Sequence, residues 1–373
     1  MIGLIVCGTT AIYSAGLARS GEVFHNLWID HLTTAAFGLV VYFVLAFTDY
    51  RKYLGYLVWP SYLVTLALLA AVLVFGSDSL GGRRSLWFFQ PAEIAKPCVI
   101  ALVASLLGGR RGESFASFKG FALISFIIAL PSALILLEPD LGTTLALGAA
   151  CLAMLLVARV WSKGLFSILL LFAVVAFYVL GAVYEAEKPG TDPERRERIL
   201  SKVPLKAHQL KRVKTFLFPE ADIAGSGYNL HQAQITIGSG GVYGKGLKNI
   251  EMSKMKYLPQ MVSINDFIFC VWAEGTGYVG SLTLLALYAA LLFSCCWTAF
   301  TAEDMRGRFF ALGTATLIFA HVYVNIAMSI GLVPITGIPL PFISQGRTFL
   351  VTVMLALGMV QSVALHREVE VER

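Results

Sequence analysis

Residues 266–297 read DFIFCVWAEGTGYVGSLTLLALYAALLFSCCW, and this stretch decides the fold. About 20 consecutive apolar residues are enough to cross a bilayer. The run therefore predicts a membrane-spanning helix, and Asp266 lies where that helix should meet the polar loop before it. Such a carboxylate has two readings. In the first, it caps the helix N-terminus by accepting backbone N–H bonds. In the second, it has a functional role, because an ionisable group at a membrane costs free energy and is a functional candidate by default.

The composition extends this reading to the whole chain. Of 373 residues, 57% are hydrophobic and 14% are charged, against roughly 25% charged in soluble domains. The apolar residues fall into ten blocks: 2–18, 32–47, 54–75, 91–107, 120–137, 141–158, 164–184, 266–297, 309–331 and 344–364. We predict an all-α polytopic membrane protein, a single domain over 1–373 with about ten transmembrane helices. One long extracytoplasmic loop, 185–265, separates spans 7 and 8.

The distribution of basic residues predicts the orientation. With the N-terminus inside, the cytoplasmic segments hold eleven Lys and Arg residues and the short outer loops hold four. This is the bias of the positive-inside rule, so both termini are expected in the cytoplasm. The first block lacks a basic stretch before its apolar core and reads as a retained span. All six cysteines lie in apolar blocks without zinc spacing, which favours packing roles.

The long loop is basic and contains a glycine-rich stretch. Between 185 and 265 there are 13 Lys and Arg against 8 Asp and Glu. Residues 238–246 read GSGGVYGKG. Glycines let backbone N–H groups approach an anionic ligand closely, and Lys245 adds a charge. A flexible connector explains the same composition.

Further polar residues lie at the same membrane face. Arg83 and Arg84 precede the fourth span. Glu93 and Lys96 are three residues apart and share one helix face, so they form an ion pair or serve a ligand. Asp140 suits a turn or a helix cap. Together these charges suit an anionic, lipid-linked substrate, and no nucleic-acid module or metal-ligand cluster is evident.

Seven motifs occur in an order that carries a family resemblance. They are Ala11-Ile-Tyr-Ser-Ala15, Gln90-Pro-Ala-Glu-Ile-Ala-Lys96, Glu138-Pro-Asp-Leu-Gly-Thr143, Gly225-Ser-Gly-Tyr228 with Gln234, Gly238–Leu247, Tyr257-Leu-Pro259 leading to Asp266-Phe-Ile-Phe269, and Gly337–Ser344. The chain resembles the SEDS family (shape, elongation, division and sporulation), and its RodA-like elongation branch more than its FtsW-like division branch. It departs from the usual pattern at Glu274-Gly-Thr-Gly277, at Gln345-Gly-Arg-Thr348 and at Ile264-Asn265.

The resemblance implies a peptidoglycan glycosyltransferase that polymerises lipid II at the outer face of the bacterial cytoplasmic (inner) membrane during elongation. Asp266 falls on the family's catalytic aspartate and would be the general base, with undecaprenyl pyrophosphate as leaving group. Residues expected to bind substrate are Arg83, Arg84, Glu93, Lys96, Asp140, Arg212, Gln234, Ser239, Lys245, Ser344 and Arg347. Cations, or a divalent metal such as Mg²⁺ or Mn²⁺, would neutralise the pyrophosphate.

The resemblance also implies partners. These are a class B penicillin-binding protein, which crosslinks the strands, and other proteins of the elongation machinery. Two alternatives stay open. A lipid II flippase would use the same charges without needing a base, and a generic secondary transporter would place its key charges at mid-membrane.

Overall fold

The computed structural model describes residues 1–17, 26–79, 82–86, 89–109, 115–188, 190–203, 205, 207–218, 226–247 and 264–366. Its helices, in chain order, are α1 (Ile2–Leu17), α2 (Leu27–Phe47), α3 (Tyr50–Phe75), α4 (Pro91–Leu107), α5 (Phe118–Leu137), α6 (Leu141–Val157), α7 (Ser162–Glu187), α8 (Pro193–Leu200), α9 (Ala207–Leu217), α10 (Ser226–Ser239), α11 (Ile268–Thr301), α12 (Met305–Ser329) and α13 (Arg347–Leu365).

Ten of these helices coincide with the ten predicted apolar blocks. Seven are long and apolar enough to cross a membrane, α1 and α6 are shorter apolar helices, and α4 carries Glu93 and Lys96. The predicted polytopic helical fold is therefore confirmed. The described part of the chain adds one small sheet, an antiparallel hairpin of β1 (Ser77–Ser79) and β2 (Gly82–Ser85). The described residues of the long loop include three short helices, α8, α9 and α10.

Burial separates the inner helices of the bundle from the outer ones. The helices α4 and α12 are buried along most of their length and pack against each other. In contrast, α7 exposes most of its leucine, valine and phenylalanine side chains and buries only Leu165, Val179 and Val183 among them. Apolar side chains on the outside of a membrane bundle face lipid rather than water. The glutamate and lysine of α4 therefore lie in the protein interior.

A non-helical segment runs through the middle of the bundle between α12 and α13. We call residues 334–345 the inner segment. From Ile338 to Ser344 most of its residues are buried, and Phe342 adopts a left-handed backbone conformation with φ 67°. Irregular backbone at membrane depth is tolerated only where protein or a polar cavity satisfies its hydrogen bonds.

Four side chains from three helices donate to carbonyl oxygens of the inner segment. These bonds are Arg212 Nη1 to Thr336 O at 2.6 Å, Asn325 Nδ2 to Ile338 O at 2.7 Å, His321 Nδ1 with Pro339 O at 3.2 Å, and the Tyr288 hydroxyl to Pro341 O. Ser344 Oγ in turn accepts from Leu340 N at 2.8 Å. The segment is thus supported by α9, α11 and α12, while its own backbone adds one turn, in which Ile343 N and Ser344 N donate to Leu340 O at 3.1 and 3.0 Å.

The helix α1 packs directly on this segment through a glycine. A methyl group at Gly8 would overlap the Phe342 carbonyl oxygen and lie 2.9 Å from Ile343 Cα. Both atoms belong to buried backbone, which cannot swing away as a flexible side chain can. The absence of a side chain at Gly8 therefore sets how closely α1 approaches the inner segment.

We expect Gly8→Ala to lower the thermal unfolding midpoint in detergent, because overpacking a buried contact costs about 1–3 kcal/mol. Gly148→Ala on α6 is the matched control, since apart from neighbouring residues of α6 itself no atom of the described residues lies within 4 Å of a Cβ built there. That change should leave the midpoint unaltered or raise it, because alanine favours helix by roughly 0.5–1 kcal/mol. Equal midpoints for the two variants would contradict the close approach.

Candidate active site

Asp266 lies just before α11, and its backbone is tied to the inner segment. The helix begins at Ile268 with Phe267 as N-cap residue, so Asp266 lies one residue before the capping position. Three successive carbonyl oxygens are held: Gln345 N donates to Ile264 O at 3.3 Å, Ser344 Oγ to Asn265 O at 2.7 Å, and Asn325 Nδ2 to Asp266 O at 3.0 Å. The carboxylate therefore projects from a fixed backbone.

The side chains of Asp266 and Arg212 converge on Gly337. A methyl group at that glycine would lie 3.7 Å from Asp266 Oδ2 and 3.8 Å from Arg212 Nη2. Gly337 has φ 75°, a conformation that strongly favours glycine. Both charged side chains are partly exposed. An anion and a cation, brought together from α11 and the loop helix α9, thus face the same small space at one end of the bundle.

Below this pair, Lys96 forms a buried polar chain. Its Nζ lies 2.6 Å from Glu93 Oε2 and 3.1 Å from His321 Nε2, and 4.9 Å above the Phe349 ring. His321 Nδ1 lies 3.2 Å from Pro339 O, so the Nδ1–H tautomer satisfies both contacts. The chain links α4 through α12 to the inner segment. A cavity of about 10 Å³ borders Lys96, room for about one water molecule.

Ser239 and Lys245 form a second, separate cluster around Glu274. Lys245 Nζ lies 2.7 Å from Glu274 Oε1 and 2.6 Å from Ser239 Oγ. The backbone pairs there too: Lys245 N donates to Glu274 O at 3.0 Å and Tyr278 N to Gly241 O at 2.9 Å. The glycine-rich stretch is thus a fixed brace for the break in α11 at Gly277, where φ is 69° and ψ is −162°. The described part of this stretch does not act as a loose connector.

Four other predicted site residues have local partners. Asp140 caps α6, accepting from Thr143 N at 3.0 Å and Thr143 Oγ1 at 2.9 Å. Gln234 Nε2 donates to Ile330 O at the end of α12. Arg347 makes a two-pronged pair with Asp30, at 2.7 and 2.8 Å. Ser344 braces the inner segment, as described above. These contacts supply structural roles, and substrate binding by the same residues stays a prediction.

Arg83 and Arg84 lie on the hairpin strand β2, and their side chains fall outside the described atoms. The structure brings Asp266, Arg212, Ser344, Lys96 and Glu93 together around the inner segment. Asp140 lies at the same end of the bundle. Gly142, two residues later, packs so closely on the inner segment that a methyl group there would contact Ile338.

Sequence reasoning missed the residues that hold this region in place. Asn325, Tyr288 and His321 have no role in the sequence analysis, and Glu274 enters it only as a departure from the family pattern. One signal was available: each is a polar or ionisable side chain within a predicted span, where such groups face the interior and find partners.

Comparison with known proteins gives concordant matches over nearly the whole chain. The chain is 34% identical to the peptidoglycan glycosyltransferase MrdB of Escherichia coli, covering 99% of this chain and 92% of the relative. It is 31% identical to a probable peptidoglycan glycosyltransferase FtsW of Coxiella burnetii (98% and 95%) and 28% identical to stage V sporulation protein E of Bacillus subtilis (97% and 94%).

Solved structures agree. The rod shape-determining protein RodA of Thermus thermophilus superposes with a TM-score of 0.66 at 26% identity, covering 99% of this chain and 95% of that one. A chain from a structure described as the structural coordination of polymerization and crosslinking by a peptidoglycan synthase complex gives 0.75 at 28% identity (98% and 96%). The family model FTSW_RODA_SPOVE, described as cell cycle protein, matches residues 1–369. This polytopic membrane protein therefore belongs to the FtsW/RodA/SpoVE family, the SEDS family that its motifs indicated.

Proposed function

We propose that this chain is a peptidoglycan glycosyltransferase that extends glycan strands from lipid II, with Asp266 as the general base. The observation that carries the proposal is the Asp266 carboxylate, facing Arg212 across Gly337 on a backbone fixed at three successive carbonyls. The family and its relatives named peptidoglycan glycosyltransferases support the enzyme class. Matches to MrdB and RodA support a role in elongation.

In the proposed reaction, a sugar hydroxyl of the acceptor gives its proton to the Asp266 carboxylate. The hydroxyl oxygen forms the new bond to the anomeric carbon of the donor. The bond from that carbon to the pyrophosphate oxygen breaks, and undecaprenyl pyrophosphate leaves with the bonding electron pair. A positioned base contributes typically 10²–10⁴-fold to such a step. Arg212 adds a cation beside the reacting groups, where pyrophosphate oxygens would be stabilised.

The position of the charges argues against a secondary transporter. Transporters hold substrate and coupling ions near mid-membrane, at breaks in their helices. Here Asp266 precedes the first turn of α11 and Glu93 lies in the first turn of α4. Both lie at helix ends at the same side of the bundle. A lipid II flippase would use the same end of the bundle, and only the need for a base separates it from a polymerase.

Asp266→Asn tests the base directly. The amide keeps the shape of the side chain but cannot accept the proton, so we expect glycan synthesis to fall by 10²–10⁴-fold with unchanged expression and thermal midpoint. The measurement is lipid II polymerisation by purified protein with its co-purified partner. Asp30→Asn, which removes a carboxylate paired with Arg347, is the matched control and should retain most activity. A normal polymerisation rate in Asp266→Asn would contradict the role of Asp266 as the general base.

The contacts of Lys96 favour support of the inner segment over direct contact with substrate. Its side chain is 1% exposed and bonded to both Glu93 and His321. Removing one partner of a buried pair leaves an uncompensated charge, whereas replacing both is often tolerated.

We therefore expect Glu93→Gln and Lys96→Met each to destabilise the protein by about 3–5 kcal/mol. The double variant should be more stable than either single variant and should regain activity along with stability. Thermal midpoints and polymerisation rates of the three variants distinguish a structural role of the pair from substrate binding by Lys96. A double variant that is stable but inactive would instead assign Lys96 to the substrate.

A divalent cation such as Mg²⁺ or Mn²⁺ is proposed as part of the substrate complex rather than as a resident metal. Among the described residues, no three His, Cys, Asp or Glu side chains form a group that could hold a metal. Magnesium commonly binds through one or two carboxylates together with substrate phosphates. The residues therefore fit a cation carried mainly by the pyrophosphate, to which Asp266 would supply a carboxylate oxygen.

The proposed setting is the bacterial inner membrane, with both termini in the cytoplasm and Asp266 at the outer face. The proposed partner is a class B penicillin-binding protein, together with other elongation proteins. Similarity to a chain of a peptidoglycan synthase complex supports such a partnership. The basic loop 185–265 is the part of the chain that reaches beyond the outer face, so it is expected to contact the partner's outer domain.

Limited proteolysis tests this contact. We expect cleavage within 185–235 to slow severalfold in the complex, because docked backbone opens to proteases less often than free backbone. Cleavage in the cytoplasmic turn around Glu303 should serve as an internal control and stay constant. If both sites are cut at the same rates with and without the partner, the loop is not part of the interface.

A further inference from the structure

A second candidate binding site lies at the end of the bundle opposite Asp266. The helix α6 begins beside the inner segment, where Gly142 faces Ile338. Its 17 residues span roughly 25 Å at 1.5 Å per residue. Its end and the start of α7 therefore reach the other membrane face. The basic short-loop residues that set the orientation belong to this face, which identifies it as the cytoplasmic side.

A cavity of about 690 Å³ opens there against α6 and α7. That volume is within the range of roughly 300–1,000 Å³ typical of small-molecule sites. The residues that line the cavity are polar at one end and apolar along α7. Arg159 and Ser162 lie at the end near the membrane surface, and Leu165, Phe166 and Leu169 continue one face of the helix towards the bilayer interior. A charged end followed by an apolar trough matches the build of a phospholipid.

Arg159 occupies a backbone conformation that its residue type disfavours. It follows Ala158, the C-cap of α6, and has φ 49°, while Val160 N donates back to Leu155 O at 3.4 Å. Glycine is the usual residue at this position of a helix end. A left-handed residue with a side chain costs roughly 1–2 kcal/mol. Strain kept at one residue points to a role for its side chain.

Trp161 forms a rigid wall next to this arginine. Its ring meets Phe118 edge-on at 5.3 Å between centroids and Phe121 at 5.8 Å. A methyl group at Gly164 would overlap the same ring, so the tryptophan has no room to turn towards α7. Tryptophan is enriched at the level of lipid headgroups. Arg159, two residues before this tryptophan, therefore lies at the depth of the phosphate groups of the bilayer.

We propose that this cavity binds an anionic glycerophospholipid of the cytoplasmic leaflet. The lipid phosphate pairs with the Arg159 guanidinium and the Ser162 hydroxyl, and one acyl chain lies along Leu165, Phe166 and Leu169. Guanidinium and phosphate carry opposite charges, and their hydrogen-bonding geometries are complementary. Exposed Lys163 adds positive potential at the same surface. An ordinary basic residue of the positive-inside rule needs neither the strained backbone nor the adjoining cavity.

Native mass spectrometry of the purified full-length protein tests the headgroup preference. The probes are dioleoyl-phosphatidylglycerol and dioleoyl-phosphatidylcholine, which share acyl chains and differ in headgroup charge. We expect the wild type to retain the anionic lipid roughly tenfold better, as one charge-assisted hydrogen-bonded pair would give. Arg159→Gln should abolish the preference. Lys52→Gln, which removes one positive charge from the same membrane face outside the cavity lining, should keep it.

Arg159→Gly provides a second, independent readout. Glycine relieves the backbone strain at position 159, and it also removes the positive charge of the arginine. The variant should therefore unfold at a higher temperature than the wild type in lipid-free detergent, yet gain less stability when phosphatidylglycerol is added. Both readouts are independent of glycan synthesis. The proposal is overturned if the two lipids are retained equally by the wild type, if Arg159→Gln keeps the preference, or if phosphatidylglycerol stabilises Arg159→Gly as much as the wild type.

Discussion

The hydrogen bonding of the inner segment is the constraint on which the rest of this structure depends. Backbone that is not part of a regular helix leaves carbonyl groups that lipid cannot satisfy. Because residues 334, 339 and 341 are prolines, three backbone N–H groups that would need acceptors are absent. All the carbonyl groups of the segment still need donors. Arginine, asparagine, histidine and tyrosine side chains from three helices supply the missing donors. The helices must therefore keep their mutual positions for the segment to remain buried.

The same bonds build the candidate site, so fold and site cannot be separated. Asn325 donates both to Ile338 O and to Asp266 O, and one amide thus fixes the inner segment relative to the proposed base. Arg212 binds Thr336 O with one nitrogen and faces Asp266 across Gly337 with another. Lys96 reaches the segment through His321. These bonds fix the backbone from which the Asp266 carboxylate projects, and a fixed origin helps to place the base at the defined distance that proton transfer requires.

The sequence predicts those features of the fold and the site that depend on residues close together in the chain. The ten spans follow from apolar run length alone, because each helix satisfies its own backbone. The Glu93–Lys96 pair follows from helical spacing, since three residues apart means one face. Lys245 with Glu274, Arg347 with Asp30 and Lys96 with His321 could not be foreseen. Each pair joins distant parts of the chain, and many other pairings of the same charges would have satisfied the composition equally well.

The helix α7 joins the two ends of the molecule. At its outer end, Glu187 binds Arg196 at 2.6 Å and Lys214 at 2.9 Å, so α8 and α9 are attached to it. Lys214 and Arg212 belong to the same helix α9, and Arg212 reaches Thr336 beside the proposed base. At its inner end, α7 begins at the cavity beside Arg159 and is anchored there by Gly164 and Leu165. Between these ends it packs sparsely, so its position is set by its two termini. Whatever fills the cavity at one end therefore contacts the same helix to which α9, the helix of Arg212, is attached at the other end.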